Sequence, residues 1–138
     1  MTTAAAEFLD TNVIVYSFSQ GDKADMAEAL LGRGCSTSLL ALNEFANVAR
    51  RKLDMDWREI RDGLAAVRLL CGTILPIDLA IHETALDLAE RYRLNVFDAL
   101  MLASALSGGC TTFWTEDLHD GLLIEGSLLV KNPFRGQT

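Results

Sequence analysis

The sequence predicts an α/β fold, a three-layer α/β/α sandwich built around a mainly parallel sheet. Three observations predict it. Short apolar segments alternate with longer amphipathic stretches of helical period along the chain, the order that produces strand–helix–strand crossovers and parallel pairing. Turn and cap residues stand between each apolar segment and the helical stretch that follows. The 138 residues, 50% of them hydrophobic, are enough for one domain, residues 1–138, with a core that needs no staples.

Taken in order, Glu7 to Asp10 reads as a brief buried strand, and Asp10-Thr11-Asn12 is turn and cap chemistry handing the chain to a helical turn near Val13. Lys23 to Arg33 is amphipathic, with Met26, Leu30 and Leu31 inward and Asp22, Asp25 and Glu28 outward. Gly32-Arg33-Gly34 ends that helix. Cys35 to Ser38 is a second strand whose serines cap a helix from Leu39 to Lys52. Asp56 to Leu70 is the next helix. Gly72 to Leu75 is a third strand closed by Pro76, and Leu79 to about Tyr92 is helical again. Asn95 to Leu106 is apolar all round apart from Asp98 and Ser104, as a helix buried inside a domain would be. Gly108-Gly109 stops it before a fourth strand, Cys110 to Trp114, which runs into the acidic loop Thr115 to Gly121. Leu122 to Glu125 reads as irregular or weakly extended, Ser127 to Val130 as a last strand, and Lys131 to Thr138 as a tail.

Composition bounds the function. With 12 Lys and Arg against 19 Asp and Glu the net charge is −7, so the chain as a whole has no pull on nucleic acid. A phosphate substrate would need a local reversal of sign, and two bound divalent ions would offset more than half of that charge. Met1 to Ala6 carry no Lys or Arg, and no apolar run is long enough for a signal peptide or a membrane span. The expectation is a soluble, cytoplasmic protein. Cys35, Cys71 and Cys110 are odd in number and far apart in sequence, which favours buried reduced thiols over a disulfide or a zinc site. The basic stretch Arg50-Arg51-Lys52, Arg58, Arg61 and Arg68 is interleaved with Asp54, Asp56, Glu59 and Asp62. Asp54/Arg58 and Arg58/Asp62 stand four residues apart, which favours a solvated helix face over an RNA-contact surface. His82 has no second histidine at ligand spacing and reads as structural.

Four acids fall where decorative charge does not belong. Asp10 and Asp117 follow strands, at the edge where open α/β sheets bind ligands. Glu44 shares an apolar helix face with Leu40, Asn47 and Val48, and Asp98 one with Met101, Leu102 and Ala105. Structural alternatives stand beside three of them: Asp10 as a helix cap, Glu44 in a salt bridge to Arg51, Asp98 as an acid reinforcing an Asn95 cap. If the four converge, like charge raises each neighbour's pKa. Hard divalent cations such as Mg²⁺ or Mn²⁺ relieve that repulsion, because they prefer oxygen ligands.

The ordered set Leu9-Asp10-Thr11-Asn12-Val13, Asn43-Glu44-Phe45, Phe97-Asp98-Ala99-Leu100 and Thr115-Glu116-Asp117 resembles the PIN-domain nucleases, in particular the VapC-like toxins of toxin–antitoxin pairs. The resemblance covers nearly the whole chain. It implies a Mg²⁺- or Mn²⁺-dependent ribonuclease leaving 3′-hydroxyl and 5′-phosphate ends, usually dimeric, and blocked by an antitoxin that lays a segment across the site. By that resemblance Asp10, Glu44, Asp98 and Asp117 are the metal-binding acids and Thr115 is the assisting hydroxyl. Thr11 and Asn12 match the motif. Glu116 stands where many relatives have a neutral residue, and Asp120 has no firm counterpart. His119 reads as a surface-loop histidine. Two readings compete with the nuclease. One is a binding module of the same fold whose acidic pocket receives a partner's Arg. The other is phosphoryl transfer through an aspartyl intermediate, for which Asn12 stands where a second Asp is needed.

Overall fold

Parallel strands deliver their carboxyl ends to one edge of a sheet, and that edge organises this chain. The computed structural model describes residues 6–135; Met1 to Ala5 and the end of the tail, 136–138, lie outside the described residues. The elements are β1 (Glu7–Leu9), α1 (Thr11–Tyr16), α2 (Asp22–Leu31), β2 (Ser36–Ser38), α3 (Leu39–Lys52), α4 (Trp57–Leu70), β3 (Thr73–Leu75), α5 (Leu79–Tyr92), α6 (Val96–Ser107), β4 (Thr112–Trp114), β5 (Leu123–Ile124) and β6 (Leu128–Lys131). The sheet order is β3-β2-β1-β4-β6-β5. All pairings are parallel except β5 with β6.

The chain steps from β1 outward through β2 to β3, then crosses back to place β4 on the other side of β1. The gap between β1 and β4 is therefore the topological switch point, where a crevice opens beyond the strand ends. Helices flank the sheet: α1 contacts α2 and α3, α3 contacts α4, and α5 packs on α6, which also meets β2. This is the three-layer arrangement that the alternation of elements predicts.

The core is apolar and continuous from strands to helices. Phe8 and Phe113, register partners on β1 and β4, stack with ring centroids 5.0 Å apart and an interplanar angle of 8°. Phe45 of α3 packs against Phe18 at 4.8 Å. In α4, a Cβ on Gly63 would come within 2.9 Å of the Phe18 ring, so the missing side chain lets that ring sit against the helix. Ser38 caps α3 by accepting from the Ala41 N–H at 3.2 Å. Asp56 and Glu59 form a reciprocal capping box at the start of α4.

Several expectations change at the edges. Leu122 to Glu125, read as irregular or weakly extended, contains the two-residue strand β5, which pairs antiparallel with β6. The last strand is Leu128–Lys131, and the tail beyond it is anchored, because Phe134 is buried with its ring edge-on to Tyr16 at 4.8 Å. Helix α6 is not buried all round: Val96 and Phe97 at its start are exposed, while Met101 to Ala105 are buried. All three cysteines are free and buried, and Cys35 and Cys71, far apart in sequence, place their sulfurs 3.3 Å apart. Among the described residues no helix is long and apolar enough to cross a membrane.

Candidate active site

Because β1 and β4 are neighbours in register, with Leu9 opposite Trp114, the residues following them must lie side by side. The Asp10 N–H donates to the Trp114 carbonyl at 3.0 Å, and Asp10 and Thr115 leave the sheet together. Asp10 is 5% exposed and caps α1. Its Oδ1 accepts from the Thr11 N–H at 2.8 Å, and its Oδ2 accepts from the Thr115 hydroxyl at 2.9 Å and from Asn12 Nδ2 at 3.3 Å. The cap of α1 thus uses one oxygen of the carboxylate, and the contacts to Thr115 and Asn12 use the other.

A cleft of about 460 Å³ opens above this point. It is lined by Asp10, Thr11 and Asn12 from the β1–α1 junction, Glu44, Asn47, Val48 and Lys52 from α3, Asp98 from α6, and Glu116 and Asp117 from the loop after β4, with Val15 and Tyr16. Glu44 is held by the Thr11 hydroxyl, which donates to Oε1 at 2.6 Å, and forms no ion pair with Arg51. Asp98 sits in the first turn of α6. Asn95 Oδ1 accepts from its N–H, and Asn95 Nδ2 donates to its Oδ2, both at 2.8 Å. The Asn95 cap is real, and the Asp98 carboxylate still lines the cleft.

The residue whose importance the sequence understates is Asn12. Its Nδ2 donates to Thr115 Oγ1 at 2.8 Å and Asp117 Oδ2 at 3.1 Å, besides Asp10, and its Oδ1 accepts from the Glu116 N–H at 3.2 Å. Thr115 is fully buried beneath the cleft and also accepts from the Asp117 N–H at 3.1 Å. One amide and one hydroxyl thus fix the loop after β4 against the start of α1. Asn12→Ala is expected to lower the turnover of any reaction run by this cleft by tenfold or more, as loss of an outer partner of a ligand typically does; steady-state kinetics against a melting curve would separate this from unfolding.

The electrostatics follow from that packing. Burial pushes the Asp10 carboxyl up to about 7. The Thr11 and Thr115 hydrogen bonds oppose the shift, and the charges of Asp98 and Asp117 add to it. The Asp98 carboxyl is raised in turn, chiefly by burial, then by Asp117 and Glu44, against the Asn95 hydrogen bond. Among the described residues none of Asp10, Glu44, Asp98 and Asp117 has a cationic partner within ion-pair distance.

The neighbouring acids are neutralised elsewhere. Glu116 accepts from the Tyr16 hydroxyl at 2.6 Å and from Lys23 Nζ at 3.1 Å, with Lys23 resting over the Tyr16 and Phe134 rings. Asp120 accepts from the Asn132 N–H and from Arg135, both at 2.8 Å, and lies outside the cleft with its pKa lowered by those contacts. His119 and His82 are exposed and line no part of it. Glu116→Gln is therefore expected to change activity less than about threefold, since a neutral amide keeps a Tyr16 contact and an exposed ion pair contributes little.

The donor set fits a hard, hydrated divalent ion. It consists of oxygen atoms, carries uncompensated negative charge, and contains a buried carboxylate whose hydrogen-bond donors are all neutral. The acids surround the cleft without closing on one point: among the described residues no three His, Cys, Asp or Glu side chains already form a cluster that could hold an ion. An ion such as Mg²⁺, which keeps several waters and takes one or two carboxylates directly, suits such an open arrangement better than a fully dehydrated one does.

The family model of the PIN domain matches residues 8–119. Among solved structures, a toxin–antitoxin complex from Klebsiella pneumoniae superposes with a TM-score of 0.71 at 24% identity, covering 94% of this chain and 98% of that one. A VapC toxin from Mycobacterium tuberculosis described as cleaving the sarcin–ricin loop gives 0.64 at 20% identity, over 78% and 87% of the two chains. A VapBC complex from Rickettsia felis bound to a DNA fragment from its promoter gives 0.67 at 17% identity, over 92% and 98%. At these identities the likeness establishes the fold. A comparison with curated proteins returns no match.

Proposed function

Since the chain belongs to the PIN domain family, we propose that it is a divalent-metal-dependent endoribonuclease. We place it as the cytoplasmic, homodimeric toxin of a toxin–antitoxin pair, silenced by a cognate antitoxin. The observation that carries the nuclease reading is the cleft itself: Asp10, Glu44, Asp98 and Asp117, drawn from four separate parts of the chain, line one space without a cationic partner among the described residues. The toxin assignment rests on the fold shared with toxin structures that include antitoxin complexes.

In this reading the four acids hold one or two Mg²⁺ or Mn²⁺ ions. A bound ion supplies Lewis acidity toward a phosphoryl oxygen and offsets the repulsion between the acids and the RNA backbone. The chain's own residues set the stage. The Thr115 hydroxyl and Asn12 amide keep Asp10 and Asp117 aligned, the Thr11 hydroxyl holds Glu44 toward the cleft, and Asn95 fixes the Asp98 carboxylate. Each support donates a hydrogen bond without bringing positive charge, so each orients a carboxylate and leaves its charge available. Lys52, also on the cleft wall, is placed to meet a phosphate of the bound strand.

The test is cleavage of a labelled RNA. With Mg²⁺ or Mn²⁺ the protein is expected to produce fragments with 3′-hydroxyl and 5′-phosphate ends. EDTA is expected to stop the reaction and excess Mn²⁺ to restore it. Cleavage that persists unchanged in EDTA would show the metal requirement to be wrong.

A further inference from the structure

The basic stretch that joins α3 to α4 reads in sequence as a solvated, self-paired helix face, and the structure does not bear out the pairing. Residues 50–61 contain Arg50, Arg51, Lys52, Arg58 and Arg61, five of the chain's 12 Lys and Arg residues. Among the described residues none of these five lies within ion-pair distance of a carboxylate. Asp56 and Glu59, which could have neutralised them, are engaged in the capping box of α4.

The placement of this charge is directional. Glu44, Asn47 and Val48 line the cleft. Arg51 stands four residues after Asn47 and Lys52 four after Val48, so both continue that helical face by one turn, and Lys52 itself lines the cleft. The turn from 53 to 56 then folds α4 back against α3, with the Met55 N–H bonded to the Ala49 carbonyl at 3.1 Å. Trp57, the first residue of α4, is 55% exposed, although a large aromatic on an acidic protein gains nothing from water. The Arg50 guanidinium lies 5.1 Å from its ring centroid and is steadied by the Met55 carbonyl at 3.2 Å. Of this group only Lys52 lines the cleft; the Arg50-backed indole follows it by five residues, across the turn into α4. Unpaired cations and an exposed, cation-backed ring in one short stretch are the combination that binds a nucleic acid strand, charge tracking the phosphates and the ring stacking on a base.

We propose that the α3–α4 junction is the RNA-binding shoulder of this site: Arg51 and Lys52 take backbone phosphates leaving the cleft, and Trp57, backed by Arg50, stacks on an unpaired base of the same strand. This supplies the local reversal of sign that a net charge of −7 requires. The inference rests on the ribonuclease reading and concerns binding, so it is tested apart from cleavage.

The experiment is fluorescence anisotropy of a labelled single-stranded RNA with the full chain in EDTA, across a salt series. Trp57→Ala is expected to weaken binding about tenfold with the salt slope unchanged, and Trp57→Phe to retain most of the affinity, because stacking tolerates a smaller ring. The double variant Arg51→Gln/Lys52→Gln is expected to flatten the slope by about 1.4, at roughly 0.7 per phosphate contact on a single strand. All three substituted residues have exposed side chains, and a melting curve checks folding. Affinity and slope equal to the parent's in Trp57→Ala and in the double variant would overturn the shoulder, whether or not the face binds a protein, and so would a parent without affinity for RNA. A parent that binds RNA through these residues yet never cleaves it with Mg²⁺ or Mn²⁺ would leave the shoulder standing and sink the nuclease reading.

Discussion

Replacing Asp10 with asparagine is expected to lower RNA cleavage by about a thousandfold, the scale of several kcal/mol of lost charge stabilisation, while making the metal-free protein more stable. The two effects have one cause. Asp10 is 5% exposed, accepts hydrogen bonds only from neutral donors, and faces other acids. Its pKa rises from 3.8 to about 7 on folding. The folded state therefore binds the proton more tightly than the unfolded state. Stability is greatest at low pH in this respect and is lost as pH rises from about 4 to about 7. The loss is on the order of 2–4 kcal/mol by pH 8. Asparagine removes the titration, so the variant in EDTA is expected to melt about 5–10 °C above the parent at pH 8, with the gap closing toward pH 4. The Asn12 amide, left facing another amide, trims the gain. Thermal melts of both proteins across that pH range check it, and a gap that does not change with pH would contradict the burial of a charge-seeking carboxylate at this position.

The second large effect is expected for Asp98→Asn, a loss of a hundredfold or more in cleavage with the metal-free protein at neutral pH no less stable than the parent, because burial and the charges of Asp117 and Glu44 raise the Asp98 carboxyl in the same direction as that of Asp10. The separation is possible because the two structural duties at this residue use different atoms. The cap of α6 is made by the Asp98 backbone N–H to Asn95 Oδ1, and the side chain only accepts from Asn95 Nδ2. An asparagine keeps the first bond and, through its carbonyl oxygen, the second. Removal of the cap itself by Asn95→Ala is expected to cost about 1 kcal/mol. Kinetics and melting curves for the pair would show whether the acid serves the helix or the cleft.

These contrasts also mark how far the sequence could be read. Helix α3 has the boundaries the sequence predicts, Leu39 and Lys52, because a serine cap and a clear apolar period define both ends locally. The strand β5 was legible only as an irregular or weakly extended stretch, since two residues acquire their conformation from pairing with β6 and carry no period of their own. The four acids were legible as misplaced charges, each against the grain of its own segment. The support around them was not: Asn12 meets Thr115 and Asp117 across 103 and 105 positions, and Lys23 meets Glu116 across 93. No local pattern specifies such pairs. The same limit explains Arg58 and its neighbours, whose four-residue spacing to acids suggested pairs that the folded chain does not make.

The most direct test of the account is calorimetric titration of Mn²⁺ into the metal-free protein at neutral pH. Saturable binding of one or two ions per chain, lost in both Asp10→Asn and Asp98→Asn, is the predicted result. A parent that takes up no Mn²⁺, or variants that bind it as the parent does, would contradict the claim that these acids are gathered to hold a divalent ion, and would turn the cleft into a pocket for a partner's arginine.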